Sequence, residues 1–218
     1  MTTTTQRVLL CFCSLIAFFS NIVTPEDVGS NNCSSSTLTI QELSSQLQKA
    51  IQCPENLTSQ WGNSETATVL NSLITLTDIL QKNEKAVCQK VEPKECPAAL
   101  AQSKGGIVCV TINNKRYCKP LCNQGFDFAF LRISRLYEEC SKDTEYKWTT
   151  QYIGGNKLAV CQKSSHPIAG GEKTYFAKDC LTTKSNSTLE NQLVKEFVSQ
   201  LESKDIKGTP QHSCLICG

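Results

Sequence analysis

The chain reads as an α+β protein, a small disulfide-rich β-hairpin region flanked by amphipathic helices. Three observations predict this class. Cysteines, Gly-Gly pairs and alternating apolar runs concentrate between Cys88 and Cys161. Leucine-rich stretches of helical periodicity lie on both sides of that region. Twelve of the fourteen cysteines of the 218-residue chain follow a start that has the pattern of a secretory leader, so oxidation is their expected fate.

That leader is residues 1–20. Arg7 precedes VLLCFCSLIAFF (Val8 to Phe19), and polar residues and Pro25 follow. A basic start and an apolar run shorter than the ~20 residues a bilayer requires match a signal peptide cleaved near Ser20. No later run is apolar enough for a membrane span. Cys11 and Cys13 would leave with the leader, and the remaining twelve cysteines are an even set. The sequons at Asn56 and Asn186, with a weaker one at Asn32, agree with a secreted, extracellular glycoprotein. Twenty-two basic and twenty acidic residues leave a formal charge of +2, without a block of one sign. That balance points away from nucleic acid and anionic membranes as partners.

Residues 33–86 form a helical segment. TIQELSSQLQKAI begins with Thr39 and Glu42 at capping-box spacing and puts Leu43, Leu47, Ala50 and Ile51 on one face, a helix over 39–52. A second helix over 64–82 collects Val69, Leu70, Leu73, Leu76 and Leu80. Both leucine faces are expected to be core.

Residues 88–165 are the cysteine-rich β region. In VCVTINNKRYCKPLC, Asn113-Asn114 suits a two-residue hairpin turn because asparagine tolerates positive φ. Pairing outward from 112 and 115 sets Cys109 opposite Cys118, at a non-hydrogen-bonded position where α-carbons approach to ~4.5 Å, within reach of a disulfide. The same counting about Gly154-Gly155 sets Trp148 opposite Cys161. FDFAFLRISRLYEEC is open between two readings: Phe126, Phe128 and Phe130 alternate as in a strand, while Phe126, Phe130, Ile133 and Tyr137 share a helical face.

Residues 96–161 resemble a sushi (complement control protein) module, through Cys96-Pro97, the run YCKPLCNQGF with Cys122, Gly125 and Phe126, and then Cys140, Trp148 and Cys161. The resemblance implies bridges Cys96–Cys140 and Cys122–Cys161, with Cys109–Cys118 as an extra one and Trp148 packed between the two family bridges. It also implies a small β-structure used for extracellular protein recognition.

Residues 166–218 form a tail containing one helix over 187–204. Ser187 and Glu190 stand at capping-box spacing, and Leu189, Leu193, Val194, Phe197 and Leu201 make its apolar face. That helix is expected to dock on the amino-terminal pair, tied by a disulfide from Cys180, Cys214 or Cys217 to Cys33, Cys53 or Cys88. The rival arrangement is a disulfide-linked dimer through Cys214 or Cys217.

Catalytic vocabulary is thin. The chain has two histidines, His166 and His212, and lacks G-x-S-x-G, H-E-x-x-H and a phosphate loop. Cys118-x₃-Cys122 and Cys214-x₂-Cys217 have zinc-ligand spacing, but secretion favours bridges. After Cys217 only Gly218 follows, so no helix amino end depresses a thiol there. Neither metal nor cofactor is expected. The reading is a non-enzymatic recognition module whose partner is an extracellular or cell-surface protein. A secreted effector, such as a protease inhibitor or signalling ligand, is the alternative, and an extracellular thiol–disulfide oxidoreductase the outsider.

Overall fold

A computed structural model of the chain describes residues 39–54, 61–133, 135–150, 156–171 and 173–218. The leader at 1–20, Asn32, Cys33, Asn56 and the Gly154-Gly155 turn lie outside the described residues. The chain divides into two units, Met1–Asn63 and Ser64–Gly218.

In the first unit the described element is α1 (Ile40–Gln52). Its capping box is complete: the Thr39 amide donates to Glu42 Oε2 at 3.0 Å, and the Glu42 amide donates to Thr39 Oγ1 at 3.2 Å. Ile40, Leu47 and Ile51 are exposed, and no side chain of α1 is buried.

The second unit is entered by α2 (Asn63–Gln89). It runs past residue 82 because KNEKAVC contains neither glycine nor proline to stop it. Thr68, Ser72, Thr75 and Thr77 each return their hydroxyl to a carbonyl one turn earlier, which lets a Ser/Thr-rich segment stay helical. Its leucine face is a correction to the expectation of core. Leu70, Leu73, Ile74, Ile79, Leu80 and Val87 are exposed, and Cys88 is the one buried side chain of the helix. Periodicity reports that a face is apolar, not that something covers it.

The centre is a four-stranded antiparallel sheet of order β4-β2-β1-β6, built from β1 (Gly105–Ile112), β2 (Lys115–Cys122), β4 (Glu138–Cys140) and β6 (His212–Cys217). Asn113 and Asn114, at φ 52° and 60°, form the left-handed turn that sets Ile112 opposite Lys115 and Cys109 opposite Cys118. β3 (Phe126–Phe128) and β5 (Cys161–Lys163) make a separate pair in which Phe128 faces Cys161. One open reading is resolved and one register is corrected. The 126–140 stretch takes the strand alternative at both ends, with no helix among its described residues. Cys161 lies opposite Phe128 rather than Trp148, since β5 is recruited by β3.

Helices α3 (Cys180–Lys184) and α4 (Ser187–Glu202) precede β6. Asn186, not Ser187, caps α4, its Oδ1 accepting from the Thr188 and Leu189 amides at 3.0 and 3.3 Å. α4 docks on the sheet of its own unit, where packing on the amino-terminal pair was expected. Phe197 and Leu201 pack against Val108, Val110, Ile112, Tyr117 and Leu215. The tail therefore completes the β region instead of standing apart from it.

Both sheet faces are covered. Opposite α4, Ile107, Cys109, Cys118, Cys140 and Ile216 pack with Cys88, Cys96, Ala99, Trp148 and Leu158. This explains why GGIVCVTI is a continuous apolar run, with every β1 residue buried. At Gly106 a Cβ would overlap the Cys180 sulfur, so glycine there lets the Cys180–Cys217 bridge lie against β1. Lys119, buried under α4, donates from Nζ to Gln200 Oε1 at 2.7 Å and to the Lys173 carbonyl at 2.5 Å, and burial lowers its pKa to about 8.

Two polar knots brace the periphery. Glu138 meets Arg132 and Arg135, each at 2.9 Å. Asp127 accepts from Tyr175 Oη at 2.6 Å and from the amides of Phe128, Ile168 and Ala169. Among the described residues no helix is long and apolar enough to cross a membrane.

Candidate functional site: a bridge and groove beside the edge strand

The candidate site sits where the end of α2 meets β6, the outermost strand beside β1. Antiparallel register stacks side chains in rows across the sheet. One row on the face opposite α4 is Glu138, Cys118, Cys109 and Cys214, and the next is Cys140, Arg116, Thr111 and His212. Cys109 is thus flanked by Cys118 on one strand and Cys214 on the other. Cys118 is its bridge partner, at a Cα separation of 4.1 Å. Cys214 instead bonds Cys88 in the last turn of α2, closing a sequence separation of 126. The sulfurs of Cys88, Cys109 and Cys214 lie within 4.8 Å of one another, so two bridges sit side by side.

Arg116 stands behind them. Its Nη2 donates to the Cys88 carbonyl and lies 3.1 Å from Cys88 Sγ and 3.8 Å from Cys214 Sγ. The contact to the carbonyl neutralises part of the negative end of the helix dipole and caps α2. Arg116 is 3% exposed, and among the described residues no carboxylate pairs with it. Burial lowers its pKa to about 10, which leaves it charged at neutral pH. In the same row His212 Nε2 is buried without a hydrogen-bond partner among the described residues, and burial, with Arg116 adding repulsion, lowers its pKa.

In front of the bridge lies a groove of about 550 Å³, lined by Leu80, Val87, Cys88, Cys214 and Leu215 with Glu84 and Lys184 at its rim. Lys184 Nζ meets Glu84 Oε1 at 2.8 Å and donates to the Leu215 carbonyl at 2.8 Å, tying α3, α2 and β6 together. The groove floor is an apolar wall, a disulfide and the outer side of an edge strand. Such a setting accommodates an extended segment or a small thiol.

The cysteines singled out in the sequence occur in three bridges, Cys109–Cys118, Cys96–Cys140 and Cys122–Cys161. Trp148 packs in the cluster of Cys96 and Cys140 and donates from Nε1 to the Pro97 carbonyl at 2.9 Å. Cys122 and Cys161 pack instead against Phe128. Cys180–Cys217 and Cys88–Cys214 bring the bridges among the described residues to five. Cys88–Cys214 is the expected tie from the tail to the amino-terminal segment, and the rival disulfide-linked dimer is set aside, since both Cys214 and Cys217 are consumed within the chain. The pairings also split each zinc-spaced pair between different bridges. Among the described residues Cys53 has no bridge partner, and it is exposed. Sequence reasoning missed Arg116 and His212 as parts of a site. The signal was the parity of Arg116 with Cys118, which puts both on one face, but its meaning depended on β6.

Comparison with protein families, with curated proteins and with solved structures finds no match for this chain.

Proposed function

We propose that this chain is a secreted, disulfide-stabilised glycoprotein that acts as an extracellular protein-recognition module rather than as an enzyme. One observation carries the reading. α2 presents a stripe of apolar side chains to solvent, Leu73, Leu80 and Val87, whose seven-residue spacing keeps them on one helical face; they are 40%, 54% and 64% exposed, and the last two line the groove. A contiguous apolar surface of this kind is costly to keep in water and marks an interaction face.

Other features support it. Five bridges suit an oxidising compartment. Asn186 caps α4 through Oδ1 at an exposed position, and a glycan on Nδ2 leaves that cap intact. The sushi-like stretch points to binding, and Cys96–Cys140 with Cys122–Cys161 is the pairing it implies. His166 Nδ1 lies 2.8 Å from Ser165 Oγ, but both are exposed neighbours on a loop, and no carboxylate orients the ring among the described contacts. That falls short of a nucleophile–base pair.

The test is cross-linking capture from intact cell surfaces with the purified secreted protein, alongside a variant carrying Leu73→Glu and Leu80→Glu. The expected result is one dominant partner captured by the parent and lost by the variant, with secretion and bridge map unchanged. Equal capture by both would remove α2 as the recognition face.

A further inference from the structure

We propose that Cys88–Cys214 is a thiol–disulfide exchange site, in which a small external thiol of the glutathione class opens the bridge and Arg116 receives the departing sulfur. Three independent features of the geometry lead there. The bridge is reachable, because both cysteines line the groove and Cys214 is only partly buried. The two sulfurs are unequal, since Cys88 is 1% exposed. And a buried guanidinium touches both, closer to Cys88 than to Cys214.

The third feature gives the direction. A buried cation without a counter-ion is costly, and the Cys88 carbonyl supplies only partial charge. The intact bridge is neutral. Once it opens, a Cys88 thiolate supplies the missing anion at the position where Nη2 already sits. The partial negative charge of the α2 carboxy end opposes a thiolate, but it is a fraction of a charge engaged by the same guanidinium, whereas Arg116 is a full charge in contact. A neighbouring guanidinium is among the arrangements that depress a thiol pKa, and a leaving thiol of lower pKa departs faster.

The steps balance. The thiolate of the external thiol attacks Cys214 Sγ, the more accessible end. The Cys88–Cys214 bond breaks, its electron pair goes to Cys88 Sγ, and a mixed disulfide forms on Cys214. A second external thiolate attacks the small-thiol sulfur of that mixed disulfide, releasing an oxidised dimer of the small thiol and a Cys214 thiolate that takes up a proton. The small thiol is oxidised and the bridge reduced by two electrons. The consequence is mechanical. Cys88 is the one buried side chain of α2, so opening the bridge leaves that helix held to the sheet by the Arg116 contacts and the Glu84–Lys184 ion pair. The groove and the apolar face then part from β6.

The full secreted chain is incubated with graded reduced glutathione without denaturant, trapped with iodoacetamide, and mapped peptide by peptide. The expected first product carries glutathione on Cys214 and the alkyl group on Cys88, formed at least about tenfold faster than the opening of Cys180–Cys217. Arg116→Gln is expected to lose that lead and Arg116→Lys to keep most of it. If Arg116→Gln does not fold, the order of opening in the parent and in Arg116→Lys decides. The proposal is overturned if Cys180–Cys217 or Cys122–Cys161 opens as fast as Cys88–Cys214, if glutathione is found on Cys88 instead, or if a folded Arg116→Gln opens at the parental rate.

Discussion

Arg116 Nη2 lies 3.1 Å from the sulfur of Cys88 while donating to the carbonyl of the same residue. One side chain of a central strand therefore caps a long helix and solvates the bridge that anchors it. The attachment of α2 rests on few groups, and its strength is measurable.

Replacing Cys88 and Cys214 together by serine removes a bridge of sequence separation 126. The expected loss is about 4 kcal/mol of unfolding free energy, since long loops gain most from closure. Chemical denaturation measures it, and limited proteolysis of the variant is expected to cut first within or next to α2. Cleavage elsewhere first would show that α2 is held by other contacts.

Glu138 is fully buried between two guanidiniums, one of them, Arg132, also buried. Burial pushes the Glu138 carboxyl up and the Arg132 guanidinium down, so each keeps its charge through the other. Glu138→Ala strands Arg132, and the expected cost is about 3–5 kcal/mol. A denaturation midpoint close to the parent's would contradict this account of β4.

Asp127 organises the β3–β5 pair. Burial raises its pKa, but the bonds from Tyr175 and the three amides outweigh that and hold the carboxyl below its ordinary value. Asn in its place turns one acceptor oxygen into a donor facing donors, for an expected loss of about 2–4 kcal/mol. Because the folded-state pKa is depressed, the ionised carboxylate contributes stability above the unfolded value, and that contribution disappears as pH falls through the folded one. Asp127→Asn should therefore flatten the acid limb of the stability curve.

His212 gives a dependence nearer neutrality. Its pKa is lowered from 6.5 by burial and then by Arg116, so the unfolded chain takes up the proton first as pH falls. Stability then rises with pH across the window below 6.5. Thermal melts between pH 7.5 and 5 (about one unit or more either side of an ordinary histidine) are expected to show a loss in the parent that shrinks in His212→Gln. An identical loss in both would assign the dependence to other groups.

What could be read in the chain was local. The Asn113-Asn114 turn dictates the register that pairs Cys109 with Cys118, because turn geometry and strand pleat leave no choice over three steps. Thr39 with Glu42 marks the start of α1 for the same reason. For α4 the apolar face was legible, while the cap fell one residue earlier, because an asparagine side chain reaches the first free amides as readily as a serine does.

The amino-acid sequence by itself determined the class, the hairpin, the three helices and the dominance of cysteine over catalytic residues. Tertiary structure alone decided the rest. HSCLIC is too short and too polar at its start to announce an edge strand, and it becomes one by hydrogen bonding to β1, about a hundred residues away. That pairing sends Cys214 to Cys88 and brings His212 level with Arg116 through Thr111. The exposed face of α2 was equally beyond local reading. Periodicity arises from side chains within one helix, whereas burial depends on what the remaining chain brings against it.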